Sequence, residues 1–171
     1  VSGSGSGGLV RHVARQVSPH SASELLYGAI VTASVLAVSS LHPGPGGHVV
    51  LAAGVVTLVY WLAHVYVDAV GGRFLDPEHS TTRRLGHALR SNWGVLLGGV
   101  PPIVVYVVAR LLGASVPGAA WVAMWFTVGL LMTAGGFAAY RAGRRGFALV
   151  SEIAVCGCFG LAVIAMKYAL H

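Results

Sequence analysis

Charged side chains are scarce in this chain: Asp, Glu, Lys and Arg make up only 9% of it. Soluble domains carry about 25%, so a water-exposed fold of this composition has too little polar surface to cover itself. Acidic residues are the rarest, five against eleven Lys and Arg in 171 residues. Cysteine is nearly missing too, and two residues, Cys156 and Cys158, exclude a disulfide framework. Two positions apart on a helix they point to nearly opposite sides, so they neither pair with each other nor share one metal ion. Signatures of chemistry are equally thin. The chain has no HExxH, no paired histidine boxes, no GxSxG, no aspartate-rich lipid-transferase motif, no TVGYG-like filter and no arginine ladder.

What fills the chain instead is apolar: 56% of residues are hydrophobic and the mean hydropathy is +0.76. Lipid can cover such a surface where water cannot. Five stretches approach the roughly 20 residues needed to cross a bilayer: Ala22 to Leu41, His48 to Val70, Trp93 to Leu112, Ala119 to Tyr140, and Phe147 to Leu170. The breaks carry turn chemistry, HPGPGG at 42–47, DPEHSTTRR at 76–84, GASVPG at 113–118 and RAGRRG at 141–146. The expected fold is all-α, a polytopic bundle of five transmembrane helices forming one domain over 21–171. VSGSGSGG at 1–8 reads as a flexible segment and not as a signal peptide.

The net charge of +6 is a topology signal and not a nucleic-acid footprint. Alternate sides of the five spans collect nine and two of the eleven basic residues, with Arg110 and Lys167 as the minority. That asymmetry predicts a cytoplasmic N-terminus and a C-terminus outside, in a bacterial plasma (inner) membrane. Two short amphipathic helices are expected on the cytoplasmic surface. One lies within 9–20, where Leu9, Val13 and Val17 oppose Arg11 and Arg15. The other covers 77–90, with Asp76 as its N-cap and Pro77 at its first position. Pro101 and Pro102 are expected to kink or unwind the third span.

The candidate site comes from the ionisable residues in the spans. An ionised group at a span centre costs about 2.5–3.5 kcal/mol, so such groups usually turn inward and find partners. Tyr60, His64 and Asp68 follow at four-residue steps and form one polar stripe on the second span. Asp68 is at its cytoplasmic end, with His64 about 6 Å deeper. Glu24 opens the first span on the same side, and Glu152 sits about 8 Å into the fifth. Each has an ordinary structural explanation as well. Glu24 fits a capping box with Ser21, Asp68 can pair with Arg73 or Arg141, and His64 can bond to Asp68 or a hydroxyl. Glu152 is the hardest to explain structurally, being too deep for a cap and without a cation nearby in its own helix. Arg110 can snorkel to the headgroups. Gly94 with Gly98, Gly135 with Gly136, and Gly157 with Gly160 suggest close helix packing, and Trp93 and Trp121 suggest interface anchors.

These readings predict a small transporter or channel subunit, a homo-oligomer that moves protons or another cation. Glu152 is its principal site, Asp68 and His64 its relay, and Glu24 its mouth. Two alternatives belong to other classes: an accessory or scaffold membrane subunit, and a metal-binding membrane enzyme. In the last, the two Glu, the Asp and the His hold a divalent ion; otherwise no cofactor is implied.

Overall fold

The computed structural model describes residues 19–41, 46–75 and 81–169, apart from the side chains at 19–22, 72–75, 81, 83 and 84. The segment 1–8, most of the expected surface helix at 9–20, and Asp76 with Pro77 lie outside the described residues. Among the described residues the chain is all-helical, with six helices and no strand. They are α1 (Pro19–Ser39), α2 (Gly46–Leu75), α3 (Thr81–Ser91), α4 (Trp93–Leu111), α5 (Val116–Arg141) and α6 (Phe147–Ala169). Four of them, α2, α4, α5 and α6, are long and apolar enough to cross a membrane. This is the architecture of a membrane-embedded helical protein.

The first of the five expected spans differs from the rest. Among the described residues its apolar part is Ser23–Ser39, shorter than the other four spans, and it carries Glu24, Thr32 and Ser34. Its place in the bundle explains why it carries polar residues: α1 packs against α2, α4, α5 and α6 at once, so its partners are protein and not lipid. Gly28, Ala29, Thr32, Ala33, Leu36, Ala37 and Ser40 are all buried, mostly small residues recurring at helical spacing. By contrast α2 is peripheral, as little buried as α6. Its 30 residues span about 45 Å, more than the roughly 30 Å of a hydrocarbon core, so it must tilt or protrude.

Side-chain contacts fix the directions of the helices. Thr32 bonds Thr57 across α1 and α2, while Asn92 bonds Asp68 at one end of α2 and Gly99 abuts Thr57 nearer its middle. Thus α2 runs antiparallel to both α1 and α4, and α1 and α4 run parallel. Their crossing is close: a methyl group added to Gly28 would enter the Val95 carbonyl, and one added to Gly98 would enter the Leu25 carbonyl. The expected packing role of Gly94 and Gly98 is met here, both being buried on α4. The α5/α6 hairpin is similarly tight, with Gly135 against Cys156, Gly136 against Ile153, and Gly160 against Val128.

Turns and caps follow ordinary backbone chemistry. Gly113, at φ 91°, ends α4, and Ser115 caps α5 by accepting the Gly118 N–H at 3.2 Å. Gly143 and Gly146, at φ 79° and 57°, close the α5–α6 turn. The surface helix expected at 77–90 is described as α3, amphipathic and resting on α2 with Ala88 buried. One expectation about α4 fails in part: Pro101 and Pro102 do not unwind it, since Trp93–Leu111 is continuous helix. The two prolines still remove the N–H donors for the Leu97 and Gly98 carbonyls, but packing against α1 and α2 keeps the helix in one piece.

Candidate functional site

Because the helices alternate in direction, α1, α4 and α6 start, and α2 and α5 finish, at one end of the bundle. This end holds Glu24, Asp68 and Glu152 together with most of the arginines, and is here termed the charged end. On α2 the stripe of Tyr60, His64 and Asp68 forms as its spacing requires, but its members do not bond to one another in series. The His64 ring lies 4.5 Å from the Tyr60 ring, and its Nδ1 donates to the Tyr60 carbonyl at 3.2 Å. A carbonyl only accepts, so the Nδ1 in this bond carries a proton.

Asp68 is held by a residue that the sequence reading passed over. The Nδ2 of Asn92 donates to Asp68 Oδ2 at 2.7 Å and to the Ala88 carbonyl at 2.9 Å, using both of its N–H bonds. Asn92 is only 1% exposed, at the joint between α3 and α4, so this amide ties the joint to the end of α2. In sequence it looks like a helix cap; in the fold it makes no side-chain cap bond to α4. Of the residues expected beside Asp68, Arg73 has no described side chain, and the Arg141 guanidinium lies over the Phe137 ring at 5.6 Å.

Glu24 is 3% exposed, the one buried carboxylate among the described residues. The helix begins two residues before Ser21, at Pro19, so Ser21 is inside the first turn and not at the N-cap position that a capping box requires. The level of Glu24 follows from the Thr32–Thr57 bond. Counting eight residues back along α1, and eight forward along antiparallel α2, brings Glu24 level with Val65, next to His64, about 12 Å from the Thr pair. Val65 is itself buried, whereas Asp68 is one turn nearer the charged end and exposed.

Glu152 occupies a different place from the one its sequence position suggested. Its Oε1 lies 3.4 Å from Arg144 Nη1, with the two side chains 40% and 54% exposed. The cation is missing from the helix of Glu152 because it comes from the preceding turn, folded back through Gly143 and Gly146. Moreover α6 packs on α5 and α1 and shares no substantial interface with α2. Tyr60, His64 and Asp68 thus belong to α2 and Glu24 to α1, which packs on it, while Glu152 is on a helix without a substantial interface with α2.

Two further polar contacts cross the bundle. Midway along it, Thr32 and Thr57 share a buried 2.8 Å hydrogen bond beside Gly99, where an added Cβ would collide with both side chains. At the far end, Lys167 of α6 is buried and donates to Ser40 at 3.0 Å. Arg110, in the same half, donates to the Ala114 carbonyl. In the sequence Lys167 served only as a topology count, since its partner is 127 positions away.

Among the described residues no three His, Cys, Asp or Glu side chains are grouped to hold a metal ion. Cys156 and Cys158 are free thiols, one half-buried and one exposed, as their spacing on a helix requires. Compared with protein-family models, curated proteins and solved structures, the chain matches none.

Proposed function

We propose that the chain is a small integral membrane transporter or channel subunit that moves protons or another cation. In this reading it spans a bacterial inner membrane five times, α1 included, with the charged end in the cytoplasm, and works as a homo-oligomer because five helices are few for a complete pathway. The observation that carries the proposal is the burial of Glu24 within the helix against which all four long helices pack. A carboxylate at membrane depth is expensive and most often marks an ion or proton route. Glu24 is therefore the ion or proton site, His64 and Tyr60 stand at its level on α2, and Asp68 forms the cytoplasmic mouth. Glu152, first in line from the sequence, becomes an anchor for the α5–α6 turn. Proton flux into liposomes tests the reading: Glu24→Gln and Asp68→Asn should reduce it, and unchanged flux in both variants would refute the proposal.

A second reading is favoured by a specific pattern. Asp68 with Asn92, Thr32 with Thr57 and Arg144 with Glu152 are each closed pairs that fasten separate segments. Such pairs suit an accessory or scaffold subunit whose polar residues only hold helices in register. In that case the acid variants lose stability, no flux accompanies the purified wild-type chain, and a larger partner co-purifies with it.

A further inference from the structure

Lys167 is the only Lys or Arg that the fold buries among the described residues, at 3% exposure. Its ammonium donates to Ser40 Oγ at 3.0 Å and stands 5.2 Å from the centre of the Trp121 ring. The Ser40 hydroxyl gives its own proton to the Ala37 carbonyl at 3.0 Å, so its oxygen is free to accept. An ammonium carries three N–H bonds, and one hydroxyl with one aromatic face does not replace the water it has lost. A buried charge persists when an opposite charge meets it.

Among the described residues no carboxylate supplies that charge. The described acids, Glu24, Asp68 and Glu152, belong to the charged end, and the described residues of 30–60, 100–135 and 155–169, which build the other half, include neither Asp nor Glu. Glu24 is sixteen residues down α1 from Ser40, about 24 Å away. The depth of Lys167 indicates where an anion comes from. It is two residues from the end of α6 at Ala169, and Trp121 is in the second turn of α5. Trp121 also pairs with Tyr168, ring centres 5.3 Å apart, and Tyr168 is 68% exposed. An aromatic pair at helix ends is the usual marker of the headgroup level.

We infer that Lys167, with Ser40 and Trp121, binds an oxyanion delivered from the membrane, the phosphodiester of an anionic phospholipid in the leaflet at the far end of the bundle. Free phosphate has the same chemistry, and the experiment separates the two. The purified chain, stripped of lipid in detergent, is melted alone and with phosphatidylglycerol, phosphatidylcholine or inorganic phosphate. Phosphatidylglycerol should raise the melting temperature, and the other two should not; an equal rise with inorganic phosphate would overturn the lipid as the source. Lys167→Met should melt no lower than wild type without lipid, since it removes a buried charge that no described carboxylate meets. It should bind phosphatidylglycerol roughly tenfold more weakly in native mass spectrometry, while Lys167→Arg retains the binding. An undiminished response of Lys167→Met to phosphatidylglycerol would overturn the inference. Should that variant fail to fold, phosphatidylglycerol brominated near its headgroup should quench the Trp121 fraction of the fluorescence, with Trp121→Phe as the blank. Absence of that quenching would overturn it equally.

Discussion

Gly28 and Gly98 hold equivalent positions in the α1/α4 crossing, each facing a backbone carbonyl three residues earlier on the parallel partner, Val95 for one and Leu25 for the other. The arrangement has the symmetry of a small-residue helix dimer built within a single chain. Close approach of the backbones brings van der Waals contact and weak Cα–H···O bonds, neither of which tolerates a side chain. Replacement of either glycine by Val should therefore destabilise the protein by about 1–3 kcal/mol or more. The double variant should cost less than the sum, because the first substitution already separates the helices. Thermal melts in detergent measure both effects.

Asn92 makes a sharper prediction than Asp68. Asn92→Ala removes both side-chain donors from a buried joint; the Ala88 carbonyl keeps the backbone N–H of residue 92 at 3.1 Å, and the Asp68 carboxylate loses its amide partner. The expected loss is about 1–3 kcal/mol, read from unfolding in a mixed-detergent titration. Asp68→Asn should cost less, since an amide oxygen still accepts from Asn92 and the exposed position admits water. Equal losses would contradict the described geometry.

Glu152→Gln tests the correction drawn from Arg144. An ion pair as exposed as this one contributes about 0–1 kcal/mol, and salt screens it. The substitution should scarcely change stability, and raising the salt concentration should shrink even that difference. A large, salt-independent loss would mean that Glu152 is enclosed with other partners.

The Thr32–Thr57 bond invites a double-mutant cycle. Paired hydroxyls between helices in membranes contribute about 0.6 kcal/mol on average, so Thr32→Val and Thr57→Val should couple by that order. No coupling would place the two hydroxyls out of contact and undo the register from which the level of Glu24 was counted.

Much of this architecture is legible in the sequence. The four long helices follow from apolar runs closed by Gly- and Pro-containing turns, because a single-chain property, length of hydrocarbon, decides them. The packing of Gly98, Gly135 and Gly160 was likewise visible in small-residue spacing. The role of α1 was not: hydropathy records that Glu24, Thr32 and Ser40 dilute an apolar run, but it carries no record of which helix stands at the centre. Partners far apart in sequence were equally hidden. Asn92 looks like a cap until α2 comes beside it, Lys167 looks like a topology marker until Ser40 does, and Glu152 looks isolated until the glycine turn returns Arg144 to it. Among the candidate residues, the α2 stripe was read from helical period alone and forms as read, while the joining of Glu152 to it required a contact between helices that do not pack together.

The account rests on Glu24 as the interior site and on Glu152 as a surface anchor, and one measurement sets them against each other. Proton uptake is followed in liposomes holding equal amounts of wild type, Glu24→Gln, Glu24→Asp or Glu152→Gln, with folding verified for each. The account predicts uptake by wild type and Glu152→Gln alike, loss to the level of protein-free liposomes in Glu24→Gln, and partial return in Glu24→Asp. Uptake that survives Glu24→Gln and disappears in Glu152→Gln would contradict it.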